Sequence, residues 1–234
     1  MKRSLLCVAL FAGAFIAVDE TAAVETAIDD TKIELVAPAG YCPLDRKGWP
    51  KSHLIDFTPD GIKSQGERLA YFVDCELVRS SPEGGSSEDA GNVLDYQSSL
   101  NFKDQNVTRA MLKELCATLG KSDDSSKGWA AIVFNAIKNA AMGRLGGEED
   151  ITLTYAVLGY EDSGCYVLRF SQMKNQQKVY TVSALTTIKS KLVTVHVSKK
   201  IGNMDLLKGS ATDMITRLLA TSQDAATALI VANR

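Results

Sequence analysis

The sequence has few of the features that mark common enzymes and nucleic-acid-binding proteins. It contains only two histidines, His53 and His196, whereas a zinc site needs three or four converging ligands. It has neither a C-x-x-C pair nor a G-x-S-x-G motif, which are the signatures of thioredoxin-type and α/β-hydrolase sites. Its net charge is −2, whereas general nucleic-acid binders carry an excess of basic residues. We therefore expect no nucleic-acid partner, no metal, no cofactor and no catalytic residue.

The sequence has a single long apolar run, and this run lies near its first residue. Met1–Arg3 is basic, Leu5–Val18 is apolar and uncharged, and Thr21–Ala23 offers small residues to a signal peptidase. This order is typical of a secretory signal, and the run is shorter than the ~20 residues that span a bilayer as a helix. We predict a signal peptide at residues 1–23 with cleavage after Ala23, no transmembrane segment after its removal, and a periplasmic or secreted location. An uncleaved anchor is the alternative.

Four cysteines follow residue 23, and an even number in an exported chain favours disulfides. Four cysteines allow three pairings. Cysteines that are close in sequence more often share a supersecondary unit, so we predict the pairs Cys42–Cys75 and Cys116–Cys165. Four buried free thiols are the alternative.

Hydrophobic patterning predicts an α+β fold in one domain, residues 32–234, preceded by a flexible tether at residues 24–31. Between Ile151 and Lys199, four β-prone segments with short links predict an antiparallel meander. This meander and N-terminal strands form an antiparallel sheet with helices packed on one side. The predicted strands are Lys32–Val36, Arg68–Val78, Val93–Phe102, Ile151–Tyr160, Cys165–Met173, Lys178–Ile188 and Leu192–Lys199.

Helical spacing of apolar residues predicts two helices in the middle of the chain, Asn106–Leu119 and Trp129–Leu145, and a C-terminal helical region from Met204 to Asn233. A short helix over Lys51–Phe57 is also compatible with the sequence. Thr108 or Asn106 is the expected N-cap of the first long helix, and Ser222 is expected to cap a separate final helix. Asn106-Val107-Thr108 also fits an N-glycosylation acceptor, and a helix cap explains these residues equally well.

Alternation along the meander separates two faces. The apolar face is expected to point into a core under the helices and carries Tyr166, Leu168, Phe170, Tyr180, Val182, Ala184, Ile188, Val193, Val195 and Val197. The opposite face is rich in hydroxyls, and the candidate binding residues on it are Arg169, Ser171, Thr181, Ser183, Thr194 and His196. A solvated sheet face is one interpretation, since antiparallel sheets commonly have one. A docking or ligand surface is the other.

Several segments of the chain together resemble a known group of proteins. They are IELVAPAGYCPLD, VDCELV, VYTVSALTTIKSKLVTVHVSKK and DMITRLLATSQDAATALIVAN. They resemble uncharacterised exported proteins of proteobacteria, and the order of elements is similar to the PsbP-like α/β fold. This resemblance implies a role in binding or assembly, by analogy with members of that fold.

Three functions are compatible with the sequence. The first is an exported accessory or binding protein of the bacterial cell envelope, whose partner is another envelope protein. The second is a periplasmic hydrolase or small-ligand enzyme with a site built from loops, near His53 in the Tyr41–Pro59 segment. The third is a secreted, host-directed protein.

Overall fold

The computed structural model describes residues 22–44, 66–76, 93–99, 102–119, 152–172, 178–201 and 211–234. These residues form nine strands and two helices. In chain order they are β1 (Ala23–Ile28), β2 (Thr31–Val36), β3 (Tyr41–Pro43), β4 (Gly66–Asp74), β5 (Val93–Ser99), α1 (Arg109–Leu119), β6 (Thr152–Glu161), β7 (Gly164–Gln172), β8 (Lys178–Ile188), β9 (Lys191–Ile201) and α2 (Ala211–Ala232).

Seven of the described strands form one antiparallel sheet in the order β3-β4-β5-β9-β8-β7-β6. The predicted meander is therefore confirmed as β6 to β9, and each of its strands pairs with the next. The link between β8 and β9 is a two-residue turn in which Lys189 and Ser190 both have positive φ, a conformation that suits tight hairpins. After this turn, β9 pairs with β5, so the sheet continues through a strand that lies far away in sequence.

The larger core lies on one face of this sheet, beneath α2. The predicted inward residues of β8 and β9 are buried there, except for Tyr180, which is partly buried, and Tyr166 of β7 joins them. Leu218, Ala225 and Leu229 supply the apolar stripe of α2. Strand alternation and helical periodicity therefore converge on the same core, as the sequence predicts.

A β-hairpin formed by β1 and β2 covers the remainder of this core, which corrects the predicted tether at residues 24–31. Ile28 and Ile33 are both 1% exposed, and β1 alternates between outward and inward residues. The acidic residues at outward positions make the segment look like a polar linker. The alternating Val24, Thr26 and Ile28 instead place one side of the strand toward the core. The tether prediction is therefore wrong, and cleavage after Ala23 stays a prediction.

The second face of the sheet carries α1. Leu112 and Leu115 of this helix pack on Leu185 and Leu192, and the Cys116–Cys165 disulfide joins the helix to β7. The α+β class is confirmed. The two described helices, however, are divided between the two faces of the sheet, whereas the sequence predicts helices on one side.

Both predicted disulfides are present. Cys42 in β3 is bonded to Cys75, directly after β4, with the Cα atoms 4.9 Å apart. The Cα atoms of Cys116 and Cys165 are 5.5 Å apart. Each bond therefore fastens one element to another that packs beside it, across a sequence separation of 33 for the first bond and 49 for the second.

Two details of the helices differ from the sequence prediction or decide between its alternatives. Thr108 is the N-cap of α1, because its Oγ1 accepts a hydrogen bond from the backbone N of Met111 at 3.2 Å. Ser222 does not cap a final helix, because α2 runs unbroken from Ala211 to Ala232 and buries Ser222 within it. The predicted helices Lys51–Phe57 and Trp129–Leu145 lie outside the described residues. Neither described helix is both long and apolar enough to cross a membrane.

Side chains close the outer edge of β2. The Asn233 carboxamide acts there like a peptide group: Oδ1 accepts from the backbone N of Glu34 at 2.9 Å, and Nδ2 donates to the Glu34 carbonyl at 2.7 Å. Lys189 Nζ donates to the carbonyl of Lys32 at 2.9 Å. Backbone groups that a further strand would pair with are thus already occupied.

Tyr96 of β5 contacts the last residue of β2 from within the core. Its hydroxyl donates to the carbonyl of Val36 at 2.8 Å, and its ring packs edge-on against Phe72 at a centroid distance of 5.5 Å. Burial, and after it the nearby Tyr41, raises the pKa of Tyr96 far above its ordinary value. The Tyr96 phenol therefore remains a hydrogen-bond donor throughout the physiological pH range.

Candidate functional site

The six polar residues predicted as a binding surface lie on three adjacent strands, and those whose side chains are described lie on the face opposite α2. They are Arg169 and Ser171 in β7, Thr181 and Ser183 in β8, and Thr194 and His196 in β9. The register places Arg169 opposite Thr181, and Ser183 opposite His196. The side chain of Ser171 lies outside the described part of the chain.

Hydrogen bonds link these residues across the strands. The Ser183 hydroxyl and His196 Nδ1 are 2.7 Å apart, and the hydroxyls of Thr181 and Ser198 are 2.9 Å apart. Arg169 Nη2 donates to Thr181 Oγ1 at 3.5 Å. Four of the six predicted residues are therefore linked in two hydrogen-bonded pairs, Ser183 with His196 and Arg169 with Thr181.

The register of β5 adds a row of polar residues that sequence reasoning missed. Asp95 lies opposite His196, and Gln97 lies opposite Thr194. Asp95 binds Arg68 of β4 through two contacts of 2.8 Å, and Gln97 Nε2 donates to Asp95 Oδ2 at 2.6 Å. Asp95 lies in the middle of a β-prone segment, and this could have indicated polar partners on the neighbouring strands, because a carboxylate in an interior strand needs them.

We call this surface the polar face. It consists of Arg68, Asp95, Gln97, Arg169, Thr181, Ser183, Thr194, His196 and Ser198. α1 packs beside it, on the same side of the sheet, over Leu185 and Leu192.

The polar face is only partly accessible to solvent. Thr181 is 1% exposed, so the interpretation as a simple solvated sheet face does not hold at this position, and Asp95 of the polar face is 8% exposed. Arg169, Ser183 and His196 are half-buried. Since buried polar groups must be hydrogen-bonded to be tolerated, the network supports the fold, and its half-buried members carry the groups that a ligand or partner would reach.

The row Ser183–His196–Asp95 contains the residue types of an acyl-hydrolase triad, but its geometry does not suit that chemistry. The Asp95 carboxylate is held by Arg68 and Gln97. β8 and β9 are interior strands whose amides are paired in the ladders, so they present no pair of free N–H donors to an oxyanion. Hydrogen bonding and charge recognition are the chemistry that this arrangement supports.

The described residues offer no metal site, and their clefts lie away from the polar face. Within these ranges, no three His, Cys, Asp or Glu side chains lie close enough together to hold a metal ion. Two open clefts, of about 350 Å³ and about 440 Å³, lie beside the end of α2, away from the polar face. The first is lined by Glu25, Lys32, Glu34, Lys189 and Asn233, and the second by Arg109, Glu161, Asp162, Ser163 and Arg234. His53 and most of Tyr41–Pro59, the predicted location of a loop-built enzyme site, lie outside the described residues.

No protein-family model and no curated protein matches this chain. Among solved structures, the solution structure of cyanobacterial PsbP (CyanoP) from Synechocystis sp. PCC 6803 is similar over 92% of this chain and 96% of that chain. The sequence identity is 13% and the TM-score is 0.42. This neighbour is a PsbP-like protein, but a similarity this distant carries no argument about the function of the chain. The resemblance to exported proteobacterial proteins stays a prediction.

Proposed function

We propose that this chain is an exported accessory protein of the bacterial cell envelope, and that it binds a partner protein through the polar face. The N-terminal sequence supports export. The two disulfides are compatible with an oxidising compartment, where such bonds persist.

The observation that carries the proposal is the set of half-buried polar groups that the network holds in fixed positions. His196 is held by Ser183, and Arg169 contacts Thr181. Side chains whose orientation is already fixed lose little conformational entropy on binding, which favours recognition. An arginine and a histidine at these positions suit a partner that presents carboxylates or carbonyl oxygens.

The test is capture of partners from envelope extracts by the wild-type chain and by a variant carrying Arg169→Ala and His196→Ala. We expect the variant to capture the partner at least about tenfold less well, as for residues at the centre of an interface. Lys113→Ala with Arg217→Ala is the matched control, because both residues are exposed and carry positive charge elsewhere. Equal capture by the wild type and the first variant, or no partner for any of them, removes the polar face as the site.

Folding is controlled in the same experiment. The urea midpoint of each variant shows whether lost capture reflects lost structure. His196→Gln is a milder change that keeps a hydrogen-bonding side chain beside Ser183, and it should retain the fold while weakening capture. Comparing the chain in periplasmic extract and in culture medium separates an envelope protein from a secreted, host-directed one.

A further inference from the structure

We propose that Asn106 is an acceptor for an N-linked glycan in the folded protein. The segment Asn106-Val107-Thr108 has the acceptor pattern, and the structure makes a helix cap and a glycan acceptor compatible, because they fall on different residues. Thr108 is the N-cap of α1, so the cap does not occupy Asn106. The Asn106 carboxamide makes no hydrogen bond to the described residues.

The loop that carries Asn106 is anchored on both sides of this residue. Phe102 is 2% exposed and Val107 is 1% exposed, and the backbone N of Val107 donates to the carbonyl of Ser190 at 2.7 Å. Residues 104–106 and 108–110 are all exposed. Val107 is therefore anchored in the core while Asn106 and Thr108 on either side of it are exposed, so the asparagine is accessible beside a fixed point of the backbone.

Thr108 serves both roles without conflict. Its side chain is exposed, and only one lone pair of its hydroxyl is used to accept from the backbone N of Met111. The hydroxyl hydrogen and the second lone pair remain available to a transferase.

The covalent step requires one co-reactant, a polyprenyl-pyrophosphate-linked oligosaccharide. The carboxamide nitrogen of Asn106 forms a bond to the anomeric carbon of the first sugar. The bond between that carbon and the pyrophosphate oxygen breaks, the lipid pyrophosphate leaves with the electron pair, and the amide nitrogen releases one proton to the solvent. The proposal presupposes the export that the proposed function also requires, but it does not depend on the polar face.

The test treats the purified, disulfide-intact full chain with a bacterial oligosaccharyltransferase and the lipid-linked donor, and measures the mass of the tryptic peptide 104–109. We expect wild type to gain the mass of the glycan on this peptide and Asn106→Gln to gain none. Two substitutions of the cap separate its roles. Thr108→Ser keeps both the cap and the acceptor pattern, whereas Thr108→Asp keeps a good cap but removes the pattern.

Modification of wild type and Thr108→Ser, without modification of Thr108→Asp, supports the proposal. An unmodified wild-type peptide, under conditions in which a short acceptor peptide is fully converted, overturns it. Equal modification of Thr108→Asp also overturns it, because the reaction would then not follow the acceptor pattern. This assay needs no export and no partner, so its outcome is independent of the capture experiment.

Discussion

Substitution of Gly164 by alanine tests the close packing of β7 against β8. Gly164 has φ of +156°, and a Cβ atom built on it would lie 2.5 Å from the backbone carbonyl oxygen of Leu185. Real Cβ atoms essentially never approach another atom this closely. Leu185 belongs to an interior strand that is paired on both sides, so its carbonyl cannot retreat without weakening the ladder.

Gly159→Ala is the matched control for this change. Gly159 has φ of +153°, almost the same backbone conformation, but nothing lies within 4 Å of its added Cβ. The conformational strain and the reduced entropy of the unfolded chain are therefore shared by the two variants. The difference between them measures the clash alone, for which overpacking suggests about 1–3 kcal/mol.

Urea unfolding of the wild type and both variants measures this difference. With a slope of about 2 kcal/mol per molar urea, a clash of about 2 kcal/mol lowers the midpoint of Gly164→Ala by about 1 M relative to Gly159→Ala. Equal midpoints, or a lower midpoint for Gly159→Ala, would refute the argument, because they would mean that β7 and β8 can separate at little cost.

Three further changes probe other contacts. Tyr96→Phe should lower the unfolding free energy by about 1 kcal/mol near neutral pH. Because burial raises the pKa of Tyr96 in the folded state, the unfolded chain ionises first above about pH 10. The urea midpoint of the wild type should therefore fall more than that of Tyr96→Phe between about pH 8 and about pH 10.5. Equal falls in the two proteins would contradict this. Asn233→Ala removes the partners of two backbone groups of Glu34 and should lower the unfolding free energy by about 2 kcal/mol. A urea midpoint equal to that of the wild type would contradict this. Replacing Cys116 and Cys165 by alanine opens a loop with a sequence separation of 49 and should cost up to about 4 kcal/mol, measured by thermal unfolding. A midpoint equal to wild type would show that the bond constrains little.

The sequence was sufficient to predict the features that depend on residues near one another in the chain. The meander follows from short links between β-prone segments, and its inward residues follow from alternation with period two. Both disulfides follow from proximity in sequence, because each joins elements that fold against each other.

It was insufficient where the fold depends on distant pairing. The partnership of Asp95 with Arg68, and the position of Asp95 opposite His196, require β9 to pair with β5 across about a hundred residues. No local pattern contains that register. The β1–β2 hairpin was missed for a related reason: its acidic turn and outward glutamates resemble a linker until the core beneath Ile28 is known.

Ser222 illustrates the opposite error, in which a local rule is applied where tertiary packing prevails. A serine in a helical stretch predicts an N-cap. Here α2 continues through Ser222 and buries it, and its hydroxyl has no hydrogen-bond partner among the described residues.

The meeting of the N-terminal hairpin with α2 has a consequence for when the chain can fold. The backbone of Glu34 is bonded to Asn233, 199 residues later, and Ile28, Ile33 and Leu229 share one core. During synthesis, that core stays open until α2 has left the ribosome, because it needs residues that lie up to 199 positions apart in the sequence. If the chain is exported as proposed, this ordering delays compaction, so a chain that must be threaded unfolded through a membrane channel is not trapped by its own core beforehand.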